Sequence, residues 1–216
     1  MGVLIEQFPL YVSGFLQTLR ICVFAAIGSL VLGTILAAFR VSPVPPLRAI
    51  GAAWVTVFRN TPLAVVLFAV AFGLPELGIN GSYFWFGVAG LTFYTSAFVC
   101  EAVRSGINSV PAGQAEAARA MGLTFTQSLS SIILPQAFRT VVPPLGSVII
   151  AMIKNSAIAG AFGIGGDLFS VGVSLTSAQG YAAAGTLFGV LLGYLVLTIP
   201  AGIALARLEK KLAVAR

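Results

Sequence analysis

Five stretches of this chain are long and apolar enough to cross a hydrocarbon core about 30 Å thick, which takes about 20 helical residues. They fall at about 12–39, 49–73, 83–103, 137–160 and 183–206. Backbone amides left unpaired in lipid are too costly, so each stretch is expected to be helical. Composition agrees: 58% of the 216 residues are hydrophobic and 8% are charged. A soluble domain usually carries about 25% charged residues, and a soluble chain this apolar would expose large sticky patches. The chain therefore reads as an all-α integral membrane protein, with one domain over residues 12–207. Its first residues, MGVLIEQFPL, lack the basic start and small-residue cleavage site of a signal peptide, so the first apolar run is expected to stay in the mature protein.

An odd number of spans puts the termini on opposite sides, and the basic residues choose the direction. With the N-terminus outside, Arg40 and Arg48 fall in the first inner connector, and Arg104, Arg119 and Arg139 in the second. Arg207, Lys210, Lys211 and Arg216 then form an inner tail, which makes nine of the twelve basic residues cytoplasmic. The other three, Arg20, Arg59 and Lys154, lie within predicted spans, and the outer connectors hold only Glu76 and Asp167. That bias predicts N-terminus outside, C-terminus cytoplasmic. The same distribution argues against nucleic acid as the reason for the net charge of +6, because the cations form no solvated stripe. There is no histidine to serve as metal ligand or general base. Cys22 and Cys100 lie in apolar runs and read as small packing residues.

The connectors near 40–48 and 74–82 are short and rich in Pro or Gly. Only the inner connector at about 104–136 is long. Within it AGQAEAARAMG predicts a short helix ended by Gly122, and TFTQSLSSIILPQAF a second, with Thr124 as N-cap and Pro135 as its close. The first helix is small-faced, since Ala stabilises a helix at no side-chain entropy cost. Such a helix suits a groove on another protein, with Glu116 and Arg119 one turn apart and Met121 and Leu123 as apolar anchors; lying on the inner leaflet is the alternative. The Gly- and Ser-rich stretch 161–181 predicts an irregular or re-entrant segment.

The run EAARAMGLTFTQSLSSIILP resembles the signature of ATP-binding-cassette importer permeases: Glu-Ala-Ala, three residues, Gly, nine residues, Ile-x-Leu-Pro. The matching positions are Glu116, Ala117, Ala118, Gly122, Ile132, Leu134 and Pro135. FRNTPL, Gly14 with Thr18-Leu19, and YTSAFVCEAVRSGINSVPAGQ extend the resemblance to polar amino-acid permeases. RVSPV, RNTPL, GQAEAAR and KNSAIAG are most similar to the glutamate permeases of actinobacteria, with Ala157-Ile158 as a departure from many relatives. The resemblance implies the five-helix core of type I importers. It implies a cytoplasmic coupling helix between spans 3 and 4, carried here by Gln114, Glu116, Ala117, Ala118, Arg119, Gly122 and Leu123. It also implies a second, related permease as heterodimer partner, two ATP-binding subunits that hold ATP and Mg, and an extracytoplasmic amino-acid-binding protein. Glutamate is the expected substrate; glutamine, aspartate and basic amino acids remain open.

A charge within a span costs roughly 2.5–3.5 kcal/mol on insertion scales unless paired or hydrated. Arg59 and Glu101 have similar expected depths, which predicts a pair, either a fixed brace or part of an inner gate. Lys154-Asn155-Ser156 suits a carboxylate in a water-filled path, with Lys154 snorkelling to the outer interface as the alternative; Asn60 and Thr61 of FRNTPL are assigned to the same path. Arg20 reads as a snorkelling residue, and Trp54, Trp85, Tyr83 and Tyr94 as interface anchors or packing. No Gly-rich phosphate loop with Lys-Ser/Thr is present, so ATP hydrolysis is assigned to partner subunits and the chain is expected to be non-catalytic. An ion-coupled secondary transporter would predict inverted repeats and more intramembrane carboxylates than Glu101. An intramembrane enzyme would need a catalytic constellation that is not evident, and a purely structural subunit would not need the docking loop.

Overall fold

The computed structural model describes residues 2–213, and every element among them is helical. Arg216, counted above with the basic tail, lies outside the described residues. In order, the helices are α1 (Gly2–Glu6), α2 (Phe8–Val41), α3 (Pro45–Asn60), α4 (Leu63–Phe68), α5 (Leu74–Glu76), α6 (Tyr83–Asn108), α7 (Ala112–Ala120), α8 (Phe125–Ser128), α9 (Leu134–Ala161), α10 (Leu168–Ser177) and α11 (Ala183–Ala213). A π-helical turn, Ala69–Gly73, joins α4 to α5, and a second, Leu129–Ile133, joins α8 to α9. Four apolar segments are long enough to span a bilayer: Phe8–Val41, Tyr83–Asn108, Thr126–Ala161 and Ala183–Leu212.

The second expected span differs from the reading as one helix. It is broken between Asn60 and Leu63, and Pro45–Asn60 and Leu63–Glu76 meet at a bend of 107°. Pro62 is the cause. A proline has no N–H to give and disfavours helical dihedrals in the residue before it, and Thr61 is extended at φ −96°, ψ 132°. Taken as one span, the broken pair brings the four long apolar helices to five.

Pro135 also acts differently from expectation. It does not close a helix; the helical segment runs on from Thr126 to Ala161. The π-helical turn Leu129–Ile133 ends immediately before Leu134, whose N–H reaches back to Leu129 O. That wider turn removes the crowding a proline ring would impose on the preceding α-helical turn. Thr124 does cap this segment. Its Oγ1 accepts from Gln127 N at 3.3 Å, while Gln127 Oε1 accepts from Thr124 N at 2.9 Å. The two form a reciprocal capping box.

Helices α2 and α6 make the most extensive pair. They approach closely at Gly33, where a Cβ would lie 2.8 Å from the Ser96 carbonyl oxygen. A backbone atom cannot rotate away, so only glycine permits this crossing. The main core lies between α2, α4, α6 and α9 and includes the fully buried Ile21, Leu67, Leu91 and Met152. Cys22 and Cys100 are both free and buried in these clusters. Trp54 is a packing residue: its Nε1 donates to Ser96 Oγ at 3.0 Å, and its ring lies against Phe58 and Phe93. The stretch after α9 is more regular than expected, since ten of its residues form α10, which packs against α2, α9 and α11.

Candidate functional site

Helix α7 stands between the third and fourth spans and is built to present a small surface. Gly122 has φ +80°, a conformation that side-chain-bearing residues rarely adopt. It closes the helix with two hydrogen bonds: Gly122 N to Arg119 O at 2.9 Å, and Leu123 N to Ala118 O at 3.1 Å. This is a Schellman end, which satisfies carbonyls that would otherwise be orphaned. Gln114, Glu116, Ala117, Arg119 and Gly122 are exposed, and Met121 is 70% exposed. Ala118 differs from the rest of the motif. It is fully buried and faces the body of the protein, so it seats the helix rather than offering it to another surface. Leu123 is half-buried beside it.

Glu101 is the centre of a charge cluster larger than the expected pair. Its Oε1 accepts from Arg104 Nε at 3.1 Å, and its Oε2 from Arg104 Nη2 at 2.8 Å, a two-point fork from the next helical turn. Arg40, in the last turn of α2, places Nη1 3.2 Å from Oε1. Arg59 Nη1 lies 3.7 Å from Oε2, beyond hydrogen-bonding distance but within ion-pair reach. The Arg59 guanidinium also sits 5.6 Å from the centre of the Phe98 ring. Sequence reasoning missed Arg40 and Arg104. The i,i+3 spacing of Glu101 and Arg104 was a legible signal; the approach of Arg40 depends on tertiary packing.

Phe98 joins this cluster to a cavity of about 150 Å³ lined by Tyr94, Thr95 and Phe98 of α6 and by Val148, Ala151, Met152 and Asn155 of α9. The Thr95 hydroxyl is buried and has no hydrogen-bond partner among the described residues. An unsatisfied buried hydroxyl costs about 1–3 kcal/mol, so the cavity holds a polar group in want of a partner. The three residues of the Lys154-Asn155-Ser156 run do not share one surrounding. Successive helical residues point about 100° apart: Lys154 is exposed, Asn155 lines the cavity, and Ser156 is fully buried on a third side. Asn60 lines a different cavity, with Arg40, Arg59 and Glu101. Thr61, beside it, donates its hydroxyl to Val57 O.

Ser156 belongs to a buried polar network that the sequence reading did not anticipate. Asp167, placed above in an outer connector, is fully buried. It caps α10 by accepting from Ser170 N and Ser170 Oγ, each at 3.0 Å. Tyr194 OH donates to its Oδ2 at 3.1 Å and lies 3.3 Å from Ser156 Oγ. Thr18 of α2 completes the seat, its Oγ1 accepting from Leu168 N at 2.9 Å. Four helices, α2, α9, α10 and α11, are tied together here.

Four long apolar helices and a bent helix pair, with an exposed short helix between α6 and α9, define a membrane permease of the type I ABC-importer fold. Residues 29–214 match the family described as binding-protein-dependent transport system inner membrane component, and the chain belongs to that family. It is 43% identical to the probable glutamine ABC transporter permease protein GlnM of Bacillus subtilis (strain 168), over 98% of this chain and 97% of that one. It is 42% identical to the glutamate transport system permease protein GluC of Corynebacterium efficiens, over 95% of each. A crystal structure of an amino acid ABC transporter with histidines superposes with a TM-score of 0.89 at 31% identity, covering 96% of each chain. The inward-facing MetNI methionine ABC transporter superposes with a TM-score of 0.77 at 25% identity, over 96% of this chain and 98% of that one.

Proposed function

We propose that this chain forms the translocation path of an ATP-driven amino-acid importer, with glutamate as substrate, and that α7 is the helix through which a separate ATPase drives it. The observation that carries this reading is the construction of α7: a rigidly closed, Ala- and Gly-faced helix, exposed on the side that bears Gln114, Glu116, Ala117 and Arg119. Orientation follows from the basic connectors, with the N-terminus outside and α7 in the cytoplasm. In this reading two ATPases, which bind ATP and Mg, act on α7 of this chain and on its counterpart in a related partner permease. An extracytoplasmic binding protein delivers the amino acid.

The cavity beside Thr95 and Asn155 is the proposed substrate site, Lys154, Asn60 and Thr61 belong to the path on either side of it, and Ser156 supports the site from the buried network behind it. Arg59 and Glu101 form the inner gate, with Phe98 between the cavity and the Arg59 guanidinium. The exposed Lys154 beside Asn155 favours an acidic amino acid, and a relative named for glutamate supports that choice. Glutamine is the second reading, supported by the relative named for it at 43% identity.

Uptake by the importer reconstituted with its binding protein tests the assignment. Unlabelled glutamate should compete best, and superior competition by glutamine would move the substrate to the second reading. Asn155→Ala removes a hydrogen bond to a charged ligand, about 1.5–3 kcal/mol, so uptake should fall about ten- to hundredfold while the ATPase still co-purifies. Unchanged uptake would contradict this placement of the site.

A further inference from the structure

The arginine cluster carries more positive charge than its own partners use. Three guanidiniums, those of Arg40, Arg59 and Arg104, share the single carboxylate of Glu101. Arg104 takes both oxygens as a fork and Arg40 takes one at 3.2 Å. Arg59 is left at 3.7 Å, with its side chain 46% exposed and no hydrogen bond among the described residues. Two positive charges are therefore unbalanced within the cluster. Arg59 and Arg40 border a cavity of about 410 Å³, which is completed by Val55, Thr56, Asn60 and Glu101. Asn60 uses one amide N–H on Thr56 O at 2.7 Å, which leaves its second N–H available beside Arg59.

The place of this cavity in the fold decides what reaches it. Helix α2 has 34 residues, about 51 Å at 1.5 Å per residue, well beyond a hydrocarbon core of about 30 Å. Arg40 lies in its last turn, which directs the Arg40 side of the cavity toward the polar boundary of the membrane, where phosphate groups are dense. A cavity of this size admits a phosphate group, whether free or carried by a headgroup. Arg is also the side chain whose planar fork fits a phosphate with two hydrogen bonds.

We propose that the cavity formed by Arg40, Thr56, Arg59 and Asn60 binds a phosphate-type oxyanion, either an anionic phospholipid headgroup or a soluble phosphate. The bound anion neutralises the charge that Glu101 leaves over. It couples the end of α2 to the break in the second span, because Arg40 lies in the last turn of α2 and Arg59 in the last turn of α3, just before the break. This cavity is distinct from the one at Thr95 and Asn155, although Arg59 and Asn60 are also assigned to the gate and path above, and anion binding in it does not depend on the identity of the amino acid carried.

Native mass spectrometry of the intact importer, incubated with phosphatidylglycerol or with phosphatidylcholine, tests the site, with thermal stability in inorganic phosphate and in glutamate as parallel arms. The wild type should retain phosphatidylglycerol over phosphatidylcholine. Arg59→Gln should lower that retention about fivefold, the weight of one guanidinium near an anionic headgroup. Thr56→Leu replaces a hydroxyl lining the cavity by a bulkier apolar group and leaves every charge in place, so it should lower retention as well; it decides the matter if Arg59→Gln fails to assemble. Stabilisation by inorganic phosphate that both variants lose, without lipid retention, assigns the same site to a soluble anion. Equal retention in wild type and variants, no effect of either phosphate species, or stabilisation by glutamate alone overturns the proposal.

Discussion

Glu101→Gln should be among the most destabilising single substitutions in this chain. It removes the only carboxylate among three arginines and leaves Arg40, Arg59 and Arg104 to repel one another at the end of the bundle. Removing one partner of a fully buried ion pair costs about 3–5 kcal/mol. The Glu101 side chain keeps 21% of its exposure and Arg59 keeps 46%, so screening reduces that figure, and about 2–3 kcal/mol is expected. The check is the fraction of monodisperse complex that survives graded heating in detergent. Because the cost arises from uncompensated cations, Arg40→Gln placed on top of Glu101→Gln should restore part of the loss. Additive losses in the double variant would mean that the two residues act independently.

Asp167→Ala should have a comparable effect by a different route. Asp167 is fully buried and accepts three hydrogen bonds, two from Ser170 and one from Tyr194. Loss of an N-cap costs about 0.5–2 kcal/mol, and stranded buried donors add about 1–3 kcal/mol, for a total near 2–4 kcal/mol. Asp167→Asn keeps an acceptor in place and should cost less than half as much. In the same heating assay, a variant in which Ala and Asn behave alike would show that the carboxylate is not the group that holds α10 in place.

Apolar runs of bilayer length located the spans, because nothing but helices satisfies backbone amides in lipid. Local chemistry was equally legible at the ends of α7 and α8, where Gly122 adopts φ +80° and Thr124 forms its capping box with Gln127. The break at Thr61–Pro62 was written in the sequence as an X-Pro step, yet hydropathy averaged over the segment hid it. Pro135 misled in the opposite sense, since a π-helical turn absorbs it and no local rule foretells that turn. Asp167 was the hardest to read. A charged residue in a Gly-rich connector looks solvated until the Tyr194 hydroxyl, 27 residues away, and the cap of α10 are brought to it. Lys154, Asn155 and Ser156 were read together because they are adjacent in sequence, but helical geometry sends them to three different surroundings. The cavity at Thr95 likewise depends on how α6 meets α9 and leaves no local trace.

If α7 receives the stroke of an ATPase, as proposed, Gly122→Val should reveal it most directly. Valine at φ +80° is strained by more than about 1 kcal/mol, which opens the Schellman end and misplaces Met121 and Leu123, while the spans lie outside the change. The measurement is ATP-dependent amino-acid uptake in proteoliposomes, paired with co-purification of the ATPase through a tag on this chain. The variant should insert in the membrane as the wild type does, lose most of the co-purifying ATPase, and show no ATP-dependent uptake. Full uptake with the ATPase bound as tightly as in the wild type would contradict it.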